Sequence, residues 1–279
     1  MIATGGSFRL YGPPRSMVED NNDLGLALNM TLPMLFFLAQ TESDPRLKRL
    51  FWGLFAITIP GIFCTYSRGA LVGLIAVLVL MFFRLKQRVA LTPIILLAIV
   101  IIAMFAPDQW KARMDFRRKE ATFDNSAYSR INSWKFSWNL AQDYPITGGG
   151  FDTFTQDLFD RYAPNTQDLH GPHSIYFGVL AEHGFVGLGL YLSLVVSCFL
   201  SLRKIIKKAN FFNDDVAAGY ARMFGFSLVG FLTSGAFLGR AYFDYYFTIV
   251  CFIVILKHVC FSAWNDVDVN GWATEEQAA

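Results

Sequence analysis

Apolar and polar residues are arranged along this chain in blocks. Runs long enough to be weighed as membrane helices lie at about 23–40, 49–66, 69–84, 89–106, 174–201, 216–238 and 241–261. A helix needs roughly 20 mostly apolar residues to cross about 30 Å of hydrocarbon. The pattern therefore predicts an all-α, polytopic membrane protein with about seven transmembrane helices. The one long interval, 107–173, mixes aromatic and charged residues and predicts a large folded helical loop. The chain then divides into an N-terminal membrane segment over 1–106 with four spans, the loop over 107–173, a C-terminal membrane segment over 174–262 with three spans, and a polar tail over 263–279.

Short basic runs orient this arrangement, because Lys and Arg in short loops stay on the cytoplasmic side. Arg46, Lys48 and Arg49 follow the first run, Arg84, Lys86 and Arg88 the third, and Arg203, Lys204, Lys207 and Lys208 the fifth. The N-terminal segment, the turn at Ser67 and Arg68, the large loop and the turn at Arg240 then face outward, and the acidic tail inward. Lys111, Arg113, Arg117, Arg118 and Lys119 stand on the outer side, but so long a loop largely escapes the charge rule. The opening "MIATGGSFRLYGPPRSM" lacks the apolar core of a cleavable signal peptide.

Composition agrees, with 54% hydrophobic and only 16% charged residues. A net charge of +2 gives no polyanion-binding face and argues against nucleic acid as a partner. The four cysteines, Cys64, Cys198, Cys251 and Cys260, lie in or beside apolar runs and read as small core residues, not as a disulfide framework.

Within the loop, "SAYSRINSWKFSWNLAQDYP" predicts a helix with Ser126 as N-cap and Pro145 beyond its end. Arg130, Trp134 and Trp138 fall at i, i+4 and i+8, a face suited to the lipid headgroup layer. "FDTFTQDLFDRY" predicts a second helix over 151–162 with Phe151, Phe154 and Leu158 as its apolar stripe, the two joined by "PITGGG" into a lid. Without a following Gly-Lys-Ser/Thr, Gly148, Gly149 and Gly150 read as a turn and not a phosphate loop.

Three candidates converge on the outer interface from separate segments: Arg68 in "YSRGA", Arg130 in the loop, and His173 where the loop enters the fifth run. Each has an ordinary alternative. Arg68 can snorkel, Arg130 can pair with Asp124 or headgroups, and His173 can be an interfacial polar residue beside a helix-capping Ser174. Two arginines and a histidine together suit phosphate oxygens and proton transfer. Glu182 and His183 interrupt the fifth run. Counting about 1.5 Å per residue puts Glu182 roughly 12 Å below His173, where an ionisable group either faces a wet cavity or pairs with another helix. Gly184, Gly187 and Gly189 predict close packing of that helix on a neighbour. "EDNND" (19–23) has oxygen ligands for a hard cation, though Asn22 or Asp23 capping the first helix explains it more simply. "DVD" (266–268) reads as solvated charge.

These segments resemble the O-antigen ligase and O-antigen polymerase superfamily. "HSIYFGVLAEHGFVG" (173–187) matches its His, Asn/Ser/Gln, nine residues, Gly, two residues, Gly signature. "YSRGALVGL" (66–74) is similar to its Ser-Arg-Gly element, and "SRINSWKFSWNLAQDYPITGGGFDTF" to its Arg-x-x-x-Trp and Pro-x-x-Gly-x-Gly stretch. "YGPPRSMVEDNNDLGLALNMTLP" looks closest to the O-glycosylation ligases associated with exosortase A systems. Family members carry several more helices upstream, so the chain is expected to start late or to be a fragment.

The resemblance implies a metal- and cofactor-independent, inverting glycosyltransferase of the bacterial inner membrane, with its active site facing the periplasm. The donor is a polyprenyl diphosphate-linked glycan, and the acceptor a lipid, protein or polysaccharide. The implied catalytic residues are His173, Arg68 and Arg130, with Arg68, Arg130, Arg161, Ser174 and Glu182 binding substrate. A polymerase of the same superfamily shares the motifs. A lipid-glycan transporter, the rival from another class, predicts a midplane cavity around Glu182 instead of an outer cavity joining the three candidates.

Overall fold

The structure, a computed structural model, describes residues 9–83 and 121–276. Among the described residues there are eight helices and no strand: α1 Asn21–Thr41, α2 Pro45–Cys64, α3 Arg68–Phe82, α4 Ala121–Asp143, α5 Gln156–Tyr162, α6 Ile175–Phe211, α7 Asp215–Gly235 and α8 Asp244–Glu276. Five of these, α1, α2, α6, α7 and α8, are long and apolar enough to cross a membrane, and α3 is a shorter apolar helix of 15 residues. The run at 89–106 and the basic residues from Lys111 to Lys119 lie outside the described residues.

Side chains suited to the task start these helices. Asp20 caps α1 by accepting from Asn22 N at 2.8 Å, ahead of the expected Asn22 or Asp23. Asp44 caps α2 ahead of Pro45, which needs no partner for an N–H it lacks. Ser67 caps α3 through Ala70 N at 3.2 Å. The loop helix departs from expectation, since α4 begins at Ala121 and takes Ser126 into its interior. The second loop helix covers only Gln156–Tyr162, leaving Phe151 outside it and exposed, while Phe154 and Leu158 pack against Phe136, Leu140 and Phe159. At the other end of the chain α8 continues past residue 262 to Glu276.

The bundle is organised around α7, which packs against α1, α3, α6 and α8. Small residues allow this: a Cβ on Gly73 would stand 1.9 Å from Ser234 Oγ, and one on Gly230 would stand 3.0 Å from Asn29 O. Asn29 ties the three helices by donating to Ala70 O (2.6 Å) and Ser234 Oγ (3.1 Å). Cys198 and Cys260 are buried as core residues, whereas Cys251 is exposed.

One end of the bundle gathers the start of α1, the α2–α3 turn, the start of α6 and the α7–α8 turn. Asn21 Nδ2 donates to Thr65 O (2.7 Å), and Arg240 Nε donates to Asp23 Oδ2 (2.8 Å). Leu10 N donates to Cys64 O (2.9 Å), bringing the leading segment to the same end. The basic residues after α1 and at the end of α6 lie at the opposite end.

The long α6 is not straight. Gly184 has φ 64° and ψ −167°, a conformation only glycine adopts readily, and it interrupts the helix. The carbonyls and amides freed there are paired by the "PITGGG" turn: Gly149 N donates to Ala181 O (2.8 Å), Gly150 N to Glu182 O (3.0 Å), and Phe185 N to Pro145 O (2.8 Å). The contact is backbone on backbone. A Cβ on Gly184 would come within 2.5 Å of Pro145 O, and one on Gly148 within 2.5 Å of Glu182 C and His183 N. Gly184 thus serves a loop-to-helix seam and not the helix-to-helix packing read from the sequence, and Gly189 has nothing within 4 Å of its Cβ position.

Candidate functional site

Arg68, Arg130 and His173 line one cavity of about 990 Å³ at the loop end of the bundle. Three separate segments deliver them. Arg68 opens α3 immediately after the cap Ser67, so its position follows from where the helix starts. Arg130 projects from α4, and His173 ends the loop leading into α6. Asn21 and Asn22 of α1 add amides, and Arg9 and Lys135 bring further positive charge.

His173 is held by the loop helix. Trp134 Nε1 donates to Pro172 O at 2.8 Å, and its indole stacks on Phe177 with centroids 5.0 Å apart. Ser133 Oγ donates to His170 O at 2.9 Å, and Asn132 Nδ2 to Asn165 O (2.8 Å) and Asp168 O (3.2 Å). The segment "RINSW" therefore clamps the backbone of residues 165–172, which carries His170 and leads into His173. Trp134 faces inward for this purpose, and of the two tryptophans expected at the headgroup layer only Trp138 is exposed, 48% of its surface being free.

Two cavity residues adopt left-handed backbone conformations that side chains usually avoid, Tyr66 at φ 57° and His173 at φ 42°. Both are fixed by surrounding structure: Tyr66 is buried, and His173 lies between the anchored Pro172 and the buried N-cap Ser174. Strain maintained at two points of one cavity marks a place where geometry is kept at a cost to stability. Ser174 occupies the N-cap position of α6, as expected, but its hydroxyl makes no capping bond.

The electrostatics are those of an anion site. Burial and the neighbouring charge of Arg68 both lower the Arg130 pKa. Burial, then Arg130 and His170, push His173 below the usual histidine range, against a weaker opposing pull from Asp20 and Asp23. Two guanidinium groups near enough to repel are stabilised by an anion lying between them. Among the described residues the lining contains one carboxylate, Asp168, whose Oδ1 is 2.8 Å from His170 Nδ1 and accepts from Ser129 Oγ at 3.0 Å.

Arg161, on the short α5, and Glu182 do not line this cavity. Glu182 accepts from Tyr242 Oη at 2.6 Å, which agrees with the pairing alternative; Tyr242 belongs to the α7–α8 turn. Burial and the Glu182 carboxylate raise the Tyr242 pKa. Beyond the break at Gly184, Tyr191 reaches Ala241 O of the same turn at 3.3 Å. His183, just before the break, packs edge-on against Phe151 and Tyr242. "EDNND" is likewise accounted for: Asp20 caps α1, and Asp23, nearly buried, receives Arg240.

Sequence reasoning passed over Asp168 and His170, which the "DLH" spacing offered as a signal, and Asn132, which sat unread inside the loop motif. Tyr66, Arg9 and Lys135 carried no pattern of their own. Among known families, the model described as O-antigen ligase matches residues 53–192, a stretch holding Arg68, Arg130, His173 and Gly184. No curated protein matches the chain.

Proposed function

The chain belongs to the O-antigen ligase family, and we propose that it is a membrane glycosyltransferase. It moves a glycan from a polyprenyl diphosphate carrier to an acceptor hydroxyl on the periplasmic face of a bacterial inner membrane. The leading segment "YGPPRSMVEDNNDLGLALNMTLP" favours the exosortase A-associated O-glycosylation branch. The observation that carries the reading is the convergence of Arg68, Arg130 and His173, from three segments of the chain, on a single cavity at the loop end of the bundle. A transporter reading called for a cavity around Glu182, and Glu182 instead pairs with Tyr242 outside the lining.

The chemistry follows from the charges. As the bond between the anomeric carbon and the diphosphate oxygen breaks, negative charge grows on the diphosphate. Arg68 and Arg130 are positioned to stabilise it, and guanidinium planes can do so with paired hydrogen bonds. Diphosphate so stabilised leaves without being protonated, so the scheme gives no step to a metal. The acceptor hydroxyl attacks the opposite face, inverting the anomeric centre, and a cavity histidine takes its proton or orients it. His173, whose pKa burial and Arg130 push below the usual histidine range, is the candidate the sequence supplied.

The test is in-membrane transfer from a defined polyprenyl diphosphate oligosaccharide across lipid, protein and polysaccharide acceptors. Arg68→Ala, Arg130→Ala and His173→Ala are each expected to lower transfer by about 10²-fold or more with the protein still folded. Near-full transfer by folded Arg68→Ala and Arg130→Ala proteins would overturn the reading. The product separates ligase from polymerase, since only a polymerase lengthens the glycan repeatedly.

A further inference from the structure

The cavity holds two histidines in unlike surroundings, and the difference assigns them different work. His173 stands beside Arg130, so an imidazolium there meets like charge. His170 has the carboxylate of Asp168 at 2.8 Å from its Nδ1. Asp168 is in turn fixed by Ser129 Oγ at 3.0 Å and by its own carbonyl accepting from Asn132 Nδ2 at 3.2 Å. The His170 carbonyl is held by Ser133 at 2.9 Å, one turn of α4 from Arg130. Backbone and ring are thus both anchored. The His170 side chain is 53% exposed and lines the cavity, while the Asp168 side chain is 22% exposed.

We infer that His170, held by Asp168, is the general base that receives the acceptor's proton, and that His173 orients the acceptor hydroxyl. This rests on the glycosyl-transfer reading above. A hydrogen bond from Nδ1–H to Asp168 leaves Nε2 as the nitrogen with a lone pair, and the carboxylate stabilises the imidazolium formed when Nε2 takes a proton. The acceptor O–H proton passes to His170 Nε2, and the oxygen lone pair bonds to the anomeric carbon. The pair of the breaking C–O bond leaves with the diphosphate, between Arg68 and Arg130. His170 then releases its proton to water.

The experiment uses the full chain in membranes, a polyprenyl diphosphate oligosaccharide as donor, and an acceptor on which the wild type turns over. His170→Ala is expected to lower kcat by about 10²- to 10⁴-fold with the donor KM within a few-fold of wild type. Imidazole in the buffer is expected to restore His170→Ala by tenfold or more and to leave His173→Ala unrestored. Asp168→Asn, which can turn an amide N–H toward Nδ1 and favour the wrong tautomer, is expected to lower kcat by at least tenfold without weakening donor binding. A folded His170→Ala protein that keeps more than half of wild-type kcat overturns the inference and leaves the glycosyl-transfer reading intact. So does a loss that imidazole does not restore and that comes with lost donor binding, because it marks a purely structural role. If the wild type transfers to no acceptor, the functional reading fails and this inference with it.

Discussion

Replacing Gly184 with alanine tests the seam between the loop and α6. At φ 64° and ψ −167°, an alanine pays about 1–3 kcal/mol for the backbone conformation alone. Its Cβ also lands 2.5 Å from Pro145 O and 2.8 Å from Tyr144 O, both backbone atoms that cannot rotate away. If the loop recedes, three hydrogen bonds of 2.8–3.0 Å are lost, each contributing on the order of 1 kcal/mol. If the helix straightens instead, it recovers ladder bonds but pulls Glu182 from Tyr242 and Ala181 from the cluster with Phe136, Leu140 and Phe159. Either route costs about 3–6 kcal/mol in total. Thermal melting of the detergent-solubilised protein, followed by size-exclusion of the surviving fraction, is expected to drop by on the order of 10 °C. Gly189→Ala is the matched control: it lies on the same helix with nothing within 4 Å and is expected to be neutral or slightly stabilising. A Gly184→Ala protein that melts within about 2 °C of wild type, at equal folded yield, refutes the reasoning.

Trp134→Phe keeps an aromatic ring against Phe177 but removes the donor to Pro172 O, so it is expected to cost about 1 kcal/mol in melting and to reduce transfer through a displaced His173. Arg240→Met leaves the Asp23 carboxylate, 8% exposed, without the guanidinium that satisfies it; because Arg240 is itself 46% exposed, the expected loss is about 1–2 kcal/mol, and the Asp23→Asn/Arg240→Met double variant is expected to recover part of it in the same melting assay. His173 has a folded-state pKa below its unfolded value, so the unfolded chain binds more protons as the pH falls through about 6.5. Stability is therefore full above that pH and declines below it, and His173→Gln is expected to show a smaller fall in melting temperature between pH 7 and pH 5 than the wild type.

Much of the architecture is legible in the hydropathy blocks because the membrane imposes a single length scale. Every polar backbone group in hydrocarbon must be paired within its own helix, so the spans follow from apolar run lengths alone. The same rule placed Arg68 and His173 near one level, since a run's boundary fixes the height of the residue next to it. Residues whose role depends on a distant segment gave no such signal. Asn132 and Ser133 read as ordinary polar positions until the loop of residues 163–172 came to rest on α4. Trp134 read as a headgroup anchor because its spacing from Trp138 says nothing of which face is covered.

By itself the sequence determined a helical membrane protein, the course of its apolar runs, and the three candidates Arg68, Arg130 and His173. Tertiary structure decided the partner of Glu182, which is Tyr242, the inward turn of Trp134, and the pairings of Asp168 with His170 and Asp23 with Arg240. The physical reason is range. Run length and capping are settled by the solvent and by neighbours within a turn of helix. A helix break at Gly184 exists only because a loop more than thirty residues earlier supplies the backbone partners that make it tolerable.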